Sequence, residues 1–376
     1  MNKIHEPLLE IYRDKEDLSN YAFSLYYFIE ELSKELIKDE ITDVFFLSRE
    51  GKFLKLLYDN FSFSHSANVA THYMYISRKA VMNATLEDLE HESFQDFKVY
   101  KRISITTFLE SMNFSKDEIE LVLCDNSNTG DEYEDFFHSQ IFNELKHNKS
   151  FIKLYDEKRC ESRNNIEKYL KIIGFTDAKK VAVVDVGWNG TIQNGLFRIK
   201  AHDRIHGYYI GCTEYEKSSM NEKRGLLFSS TSIFDPFYYN RYNMELICVA
   251  NHGATDHYDE KGQPVLIADD DITLYDNYFH SIQDSILAKF KKIDEAISEC
   301  NCSAEQLEYQ IKYFHARMLL TLKKKNKNVI KYGVKKHPDN FIDIKFHHTI
   351  KVRVYAFLQL FAVAISAFKC LIKSNK

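Results

Sequence analysis

The apolar positions of the chain follow two alternating periods. Between residues 8 and 40, Tyr21, Phe23, Leu25, Tyr26, Phe28, Ile29, Leu32, Leu36 and Ile37 recur at near-helical spacing among acids and lysines, which predicts helix. Asp43 to Leu47 is a compact apolar run that predicts a strand, with a helix following over residues 52–60. Thr71 to Ser77 predicts a second strand. Residues 85–175 show helical periods with little strand signal, and Ser115-Lys-Asp-Glu118 has the form of a capping box. Val181 to Val184 is β-branched and apolar, as a buried parallel strand requires. A helix is predicted after it from Ile192 to Ile199, with Thr191 as its cap. Ile205 to Cys212 predicts a further strand. Residues 213–272 read as irregular with short strands. Two long helices are predicted next, Leu274 to Cys300 and Ala304 to Ile330.

Strand alternating with helix predicts an α/β fold built on a parallel, Rossmann-type sheet. The expected organisation is a core of residues 1–84 and 176–272, a helical insertion over 85–175, C-terminal helices over 273–350 and an amphipathic tail over 351–376. No internal repeat interrupts this order. Ligands of such sheets bind outside the carboxyl ends of the strands. Three segments fall there: Ser48-Arg49-Glu50-Gly51, Arg78-Lys79, and Asp185-Val-Gly187-Trp188-Asn189-Gly190-Thr191. The two glycines of the last segment allow close backbone approach to a ligand, and the helix N-terminus beyond them favours an anion. Trp188, the single tryptophan, is either a plug over a pocket or a stacking surface.

Composition narrows the class. With 12 Gly and 4 Pro in 376 residues, loops are few. The seven cysteines form no CxxC pair, which excludes zinc ribbons and thioredoxin-type redox and fits a reducing compartment. No apolar segment follows the N-terminal residues, so a cytoplasmic protein is expected. The net charge of −5 conceals an asymmetry: residues 317–376 carry 14 Lys/Arg against two Asp, a net of +12, and the first 316 residues carry −17. A basic end on an acidic body points to an anionic partner there. Val354 to Phe368 is too short to span a bilayer, which takes about 20 residues. Its polar positions Gln359 and Ser366 share one sector with Lys369 and Lys373, as in a helix lying at a membrane surface. No nucleic-acid partner is expected.

Two anion-holding loops with Arg49, Arg78 and Lys79 predict a ligand with two phosphate groups, and Asp185 between them suits sugar hydroxyls. This order of segments resembles the type I phosphoribosyltransferases. In that pattern Ser48–Gly51 is the diphosphate loop, Arg78-Lys79 the basic pair, and Asp185–Thr191 the loop for the 5-phosphate. The family has two adjacent acids before that loop, whereas Val184-Asp185-Val186 supplies one, and the Thr/Gly order is changed to Gly190-Thr191. A wider set of segments, residues 45–54, 73–80 and 184–193 with Glu245 and 250–253, is similar to the glycan phosphoribosyltransferase modules of bacterial O-antigen and capsule clusters.

That resemblance implies transfer of 5-phosphoribosyl from phosphoribosyl diphosphate to a lipid-linked glycan. Mg²⁺ is implied as cofactor with Asp185 as ligand, and a separate phosphatase would remove the 5-phosphate, because the chain has no Asp-x-Asp-x-Thr motif near its start. Arg49, Glu50 and Asp185 are implied as catalytic. Ser48, Gly51, Arg78, Lys79, Gly187, Trp188, Asn189, Gly190, Thr191, Gln193, Glu245 and His252 are implied in substrate binding. The acceptor hydroxyl needs a base, and Glu50, Glu245, His252 and Asp256 all qualify. Two rival classes stand beside this one. A haloacid-dehalogenase-like phosphatase would use Asp185 as nucleophile but has Gly187 where its second Asp belongs. A non-catalytic module would bind a sugar phosphate or nucleotide on the same fold.

Overall fold

A computed structural model describes residues 4–62, 68–95, 97, 102–123, 132–212, 220–229, 235–238, 241–268, 272, 275–300, 302–321 and scattered positions between 361 and 373. Two N-terminal helices, α1 (His5–Asp14) and α2 (Ala22–Lys38), lead into β1 (Asp43–Leu47) and α3 (Gly51–Asp59). Next come β2 (Ala70–Met74), α4 (Arg78–Thr85), α5 (Ile105–Ser111), α6 (Lys116–Leu123), α7 (Gln140–His147) and α8 (Lys149–Ile172). The chain continues with β3 (Val181–Asp185), α9 (Thr191–Arg198), β4 (Ile205–Gly211), β5 (Asn221–Phe228) and α10 (Tyr242–Ile247). A hairpin of β6 (Thr255–Tyr258) and β7 (Pro264–Leu266) precedes a π-helical turn, Tyr275–Phe279, then α11 (His280–Ser298) and α12 (Ala304–Thr321).

β1 to β5 form one sheet in the order β2-β1-β3-β4-β5, and every neighbouring pair is parallel. The chain leaves β1 for β2 on one side and returns to β3 on the other. The β1/β3 boundary is therefore the topological switch point, where the carboxyl ends of the strands open a crevice.

Side-chain alternation assigns the two faces. Val44 and Phe46 of β1, with Ala182 and Val184 of β3, join a core built from α1, α2, α3, α11 and α12. Phe45 and Leu47, with Val181 and Val183, join the opposite core under α4, α8 and α9. The fold is a three-layer α/β/α arrangement. A third core, rich in Phe, gathers residues between Met82 and Tyr155. The 24-residue α8 belongs to two cores: Phe151 and Tyr155 pack in the third, while Ile166, Tyr169 and Leu170 pack against the sheet. The expected insertion boundary at residue 175 thus cuts behind a helix whose C-terminal half is part of the sheet layer.

Three local readings change. The second strand ends at Met74, and Ser77 instead caps α4 by accepting from the Ala80 N–H at 3.1 Å. Thr191 is the first residue of α9 rather than its cap; Gly190, at φ +64°, takes that position with no side-chain bond. Residues 221–228, within the stretch expected to be irregular with short strands, form the eight-residue edge strand β5. The capping box is present: Ser115 N–H donates to Glu118 at 2.7 Å, and Glu118 N–H donates to Ser115 Oγ at 3.2 Å.

The lysine-rich segment 323–336 and most of the tail lie outside the described residues. Where the tail is described, Phe361, Phe368 and Ile372 are exposed, Cys370 is buried, and Lys373 Nζ reaches Tyr309 Oη at 3.1 Å. Among the described residues no helix is long and apolar enough to cross a membrane.

Candidate active site

The three predicted rim segments meet in one cavity of about 420 Å³ at the switch point. Ser48, Arg49 and Glu50 line it from the end of β1, and Arg78 and Lys79 from the start of α4. Asp185, Gly187, Trp188, Asn189, Gly190 and Thr191 enter from the end of β3, and Glu245 from α10. The Ser48–Arg49 and Gly187–Trp188 peptides are cis.

Each segment is fixed by bonds that the motif itself supplies. Ser48 Oγ donates to the Ile76 carbonyl at 2.6 Å and accepts the Ile76 N–H at 2.8 Å, stitching the end of β1 to the chain after β2. Gly187, at φ +139°, passes so close to β4 that a Cβ there would lie 2.2 Å from the Gly211 carbonyl oxygen. A Cβ on Gly190 would meet Tyr209 Oη at 2.8 Å and Lys223 Cδ at 2.9 Å. Lys223 is buried beneath the loop, and its Nζ donates to the Asn189 carbonyl at 3.1 Å. The loop is thereby held against the sheet with the N-terminus of α9 open to the cavity, a geometry that favours an anion.

Three carboxylates converge on the other side. Burial raises Asp185 well above the usual range, the Glu50 charge adds to this, and the Val186 N–H opposes it at 2.7 Å. Burial likewise lifts Glu245 to about 7, with Glu50 again contributing and the Trp188 indole N–H and Arg78 pulling the other way. Glu50 and Glu245, from separate segments, thus stand close enough to Asp185 for their charges to raise its pKa. Among the described residues no group of three or more His, Cys, Asp or Glu is arranged to hold a metal ion by itself.

Three predicted binding residues stand outside the cavity lining. Gly51 begins α3, where a Cβ would press within 2.7 Å of the Phe46 carbonyl carbon. Gln193 is fully buried; its Nε2 donates to the carbonyls of Ile205 (3.1 Å) and Glu222 (3.0 Å), and its Oε1 accepts from Tyr209 Oη (2.7 Å). It joins α9 to β4 and β5. His252 uses both ring nitrogens, Nε2 with Tyr73 Oη at 2.7 Å and Nδ1 with the Gly253 carbonyl at 2.8 Å. Since a carbonyl only accepts, Nδ1 carries the proton and Nε2 accepts from the tyrosine. Burial lowers the pKa of His252, so the ring is a neutral structural link.

The sequence reading missed the floor and far wall. Lys223 lay in a charged run with no motif. Thr255, 1% exposed, lines the cavity, and its Oγ1 has no hydrogen-bond partner among the described residues. Asp256, a candidate base, is committed elsewhere: burial acts to raise it, but hydrogen bonds from Lys79 at 2.6 Å and from His257 prevail and lower its pKa.

No protein-family model matches the chain, and no curated protein matches it.

Proposed function

We propose that the chain is a glycan phosphoribosyltransferase, with a phosphoribosyltransferase-like sheet, that moves 5-phosphoribosyl from phosphoribosyl diphosphate to a hydroxyl of a lipid-linked glycan. The observation that carries this reading is the cavity in which the 187–191 loop and helix N-terminus on one side, and Arg49 and Arg78 on the other, flank a cluster of carboxylates. In the proposed pose the 187–191 loop and the N-terminus of α9 hold the 5-phosphate. Arg49, on the turn that Ser48 anchors at the end of β1, holds the diphosphate, with Arg78 beside it. Positive charge on the departing oxygens is the main need of a reaction whose ribosyl carbon becomes cation-like.

Of the four candidate bases, Glu245 fits best. Its pKa of about 7 lets it be ionised at neutral pH yet still accept a proton. His252 and Asp256 are engaged, and Glu50 lies in the anion-binding turn. Glu245 takes the acceptor proton as the acceptor oxygen bonds to the anomeric carbon and diphosphate leaves. The hard oxygen donors Asp185 and Glu50 fit Mg²⁺, which is held by one or two carboxylates with substrate phosphates completing its shell. When bound, the ion would add positive charge at the leaving group.

The phosphatase reading loses support, because Gly187 stands where such an enzyme needs its second Asp and supplies no acid. Exposure of Phe361, Phe368 and Ile372, on a basic C-terminal segment, supports peripheral contact with an anionic membrane surface on the cytoplasmic side.

Incubation with ribose-labelled phosphoribosyl diphosphate, Mg²⁺ and lipid-linked glycans extracted from bacterial membranes tests the proposal. Label should enter the lipid phase with one diphosphate released per transfer. A binding module would leave the donor intact, and a phosphatase would release inorganic phosphate without transfer; either result would refute the transferase.

A further inference from the structure

A second cavity of about 280 Å³ adjoins the first, and Lys79 lines both. Its walls come from α4 and β6 on one side and from the helical insertion on the other. Glu110 lies near the end of α5, Asn113 and Phe114 in the turn between α5 and α6, and Lys158, Glu161 and Ser162 in α8. Asp256 of β6 stands at the boundary, its carboxylate 2.6 Å from Lys79 Nζ. Strand β6 thus places Thr255 in the wall of the first cavity and the next residue in the wall of the second.

The charges in this second cavity argue against a phosphate. Lys79 is paired with Asp256, and Lys158 with Glu118 at 3.0 Å. Glu110 and Glu161 have no ion pair among the described residues, so an anion would meet repulsion. A neutral polyhydroxyl ligand meets the opposite. Carboxylates accept strong hydrogen bonds from hydroxyls, and the lysines and Ser162 can donate. Asn113 Oδ1 is buried and has no hydrogen-bond partner among the described residues, and a hydroxyl would satisfy it. Phe114 adds an apolar face for a sugar ring.

We propose that this cavity, between the helical insertion and β6, is a subsite for a neutral saccharide unit of the acceptor, which reaches the donor cavity across the Lys79–Asp256 pair. The proposal rests on the transferase reading for the word acceptor, while saccharide binding itself is independent of it. It also gives the insertion a role: its α5–α6 turn forms one wall of acceptor recognition.

Saturation-transfer NMR on the full chain, with a mixture of neutral hexose and N-acetylhexosamine di- and trisaccharides, tests the subsite. At least one saccharide should receive transfer. Ser162→Trp, which fills the cavity, and Glu161→Arg, at an exposed helix position, should each weaken that binding by about tenfold or more. The affinity for phosphoribosyl diphosphate, measured by calorimetry, should be unchanged. No transfer to any saccharide, transfer unaltered in both folded variants, or binding of inorganic phosphate that both variants abolish would overturn the subsite. Saccharide binding lost in the variants, in a chain that never binds the donor, would uphold the subsite and refute the donor assignment instead. Donor binding without saccharide binding would refute the subsite alone.

Discussion

Glu245 offers the sharpest test of the chemistry, because its neighbours push its pKa in opposite directions. Burial is the largest effect and raises it, Glu50 raises it further, and the Trp188 N–H and Arg78 lower it, leaving about 7. A general base must be deprotonated, so kcat/KM should climb as pH rises through about 7 and then level. At pH 6 roughly one molecule in ten carries the ionised base, and the rate should be about a tenth of its plateau. Glu245→Gln should lower turnover by about 10²- to 10⁴-fold and remove this limb. Glu50→Gln removes a negative neighbour, so the limb should move to lower pH. Trp188→Phe removes the N–H, so the limb should move to higher pH. Neither change touches burial, so neither should return the group to an ordinary carboxylate range. The assay is diphosphate release from phosphoribosyl diphosphate across pH 5–9, with water or glycan as acceptor. A limb that stays in place in both variants, or a Glu245→Gln enzyme with near-normal turnover, would refute the assignment.

Other outcomes follow from the same geometry. Gly190→Ala introduces a Cβ that meets Tyr209 and Lys223, at a φ that disfavours side chains by roughly 1–2 kcal/mol; calorimetry should show donor affinity reduced by about tenfold or more in a chain that still melts cooperatively. Arg49→Ala should lower kcat by on the order of 10²-fold, and a normal kcat and kcat/KM would move leaving-group stabilisation to Arg78 or Lys79. Phe361, Phe368 and Ile372 changed together to Ser should abolish flotation with anionic vesicles at low salt while sparing donor binding; unaltered flotation would exclude those side chains as the contact. Burial lowers the pKa of His315, packed between Tyr21 and Phe237, to about 3. The unfolded chain therefore takes up this proton first, and stability should fall with decreasing pH from about 6.5 by about 1.4 kcal/mol per unit. Denaturant titrations should show that slope reduced by this amount in His315→Gln.

The strands buried on both faces were legible in the sequence because their composition leaves little choice. Val44 and Phe46 face one core and Phe45 and Leu47 the other, so the apolar run admits no solvent-facing register. Strand β5 was hidden for the opposite reason. It lies at the sheet edge, paired only with β4, and its Lys223 and Arg224 look like surface charge. In the fold Lys223 is buried under the 187–190 loop, and Arg224 pairs with Glu35 of α2 and with Asp39 just beyond it. Only tertiary partners explain those positions. The polar residues of the site motifs divide in the same way. Arg49, Arg78 and Asp185 line the cavity, whereas Gln193 and His252 spend their hydrogen bonds on strand carbonyls and Tyr73. Sequence spacing placed them all near one rim; which side chains turn away from it depends on partners in β2, β4 and β5. The convergence of Glu50 and Glu245 on Asp185 is likewise a property of the fold, joining residues from three separate segments.

The central claim is that one cavity holds both phosphate ends of a single donor. Calorimetric titration of the full chain with phosphoribosyl diphosphate in the presence of Mg²⁺ tests it most directly. One donor should bind per chain and be displaced competitively by ribose 5-phosphate and by diphosphate, since each fragment fills one of the two proposed phosphate positions. A folded chain that binds no donor, or a bound donor that neither fragment displaces, would contradict it.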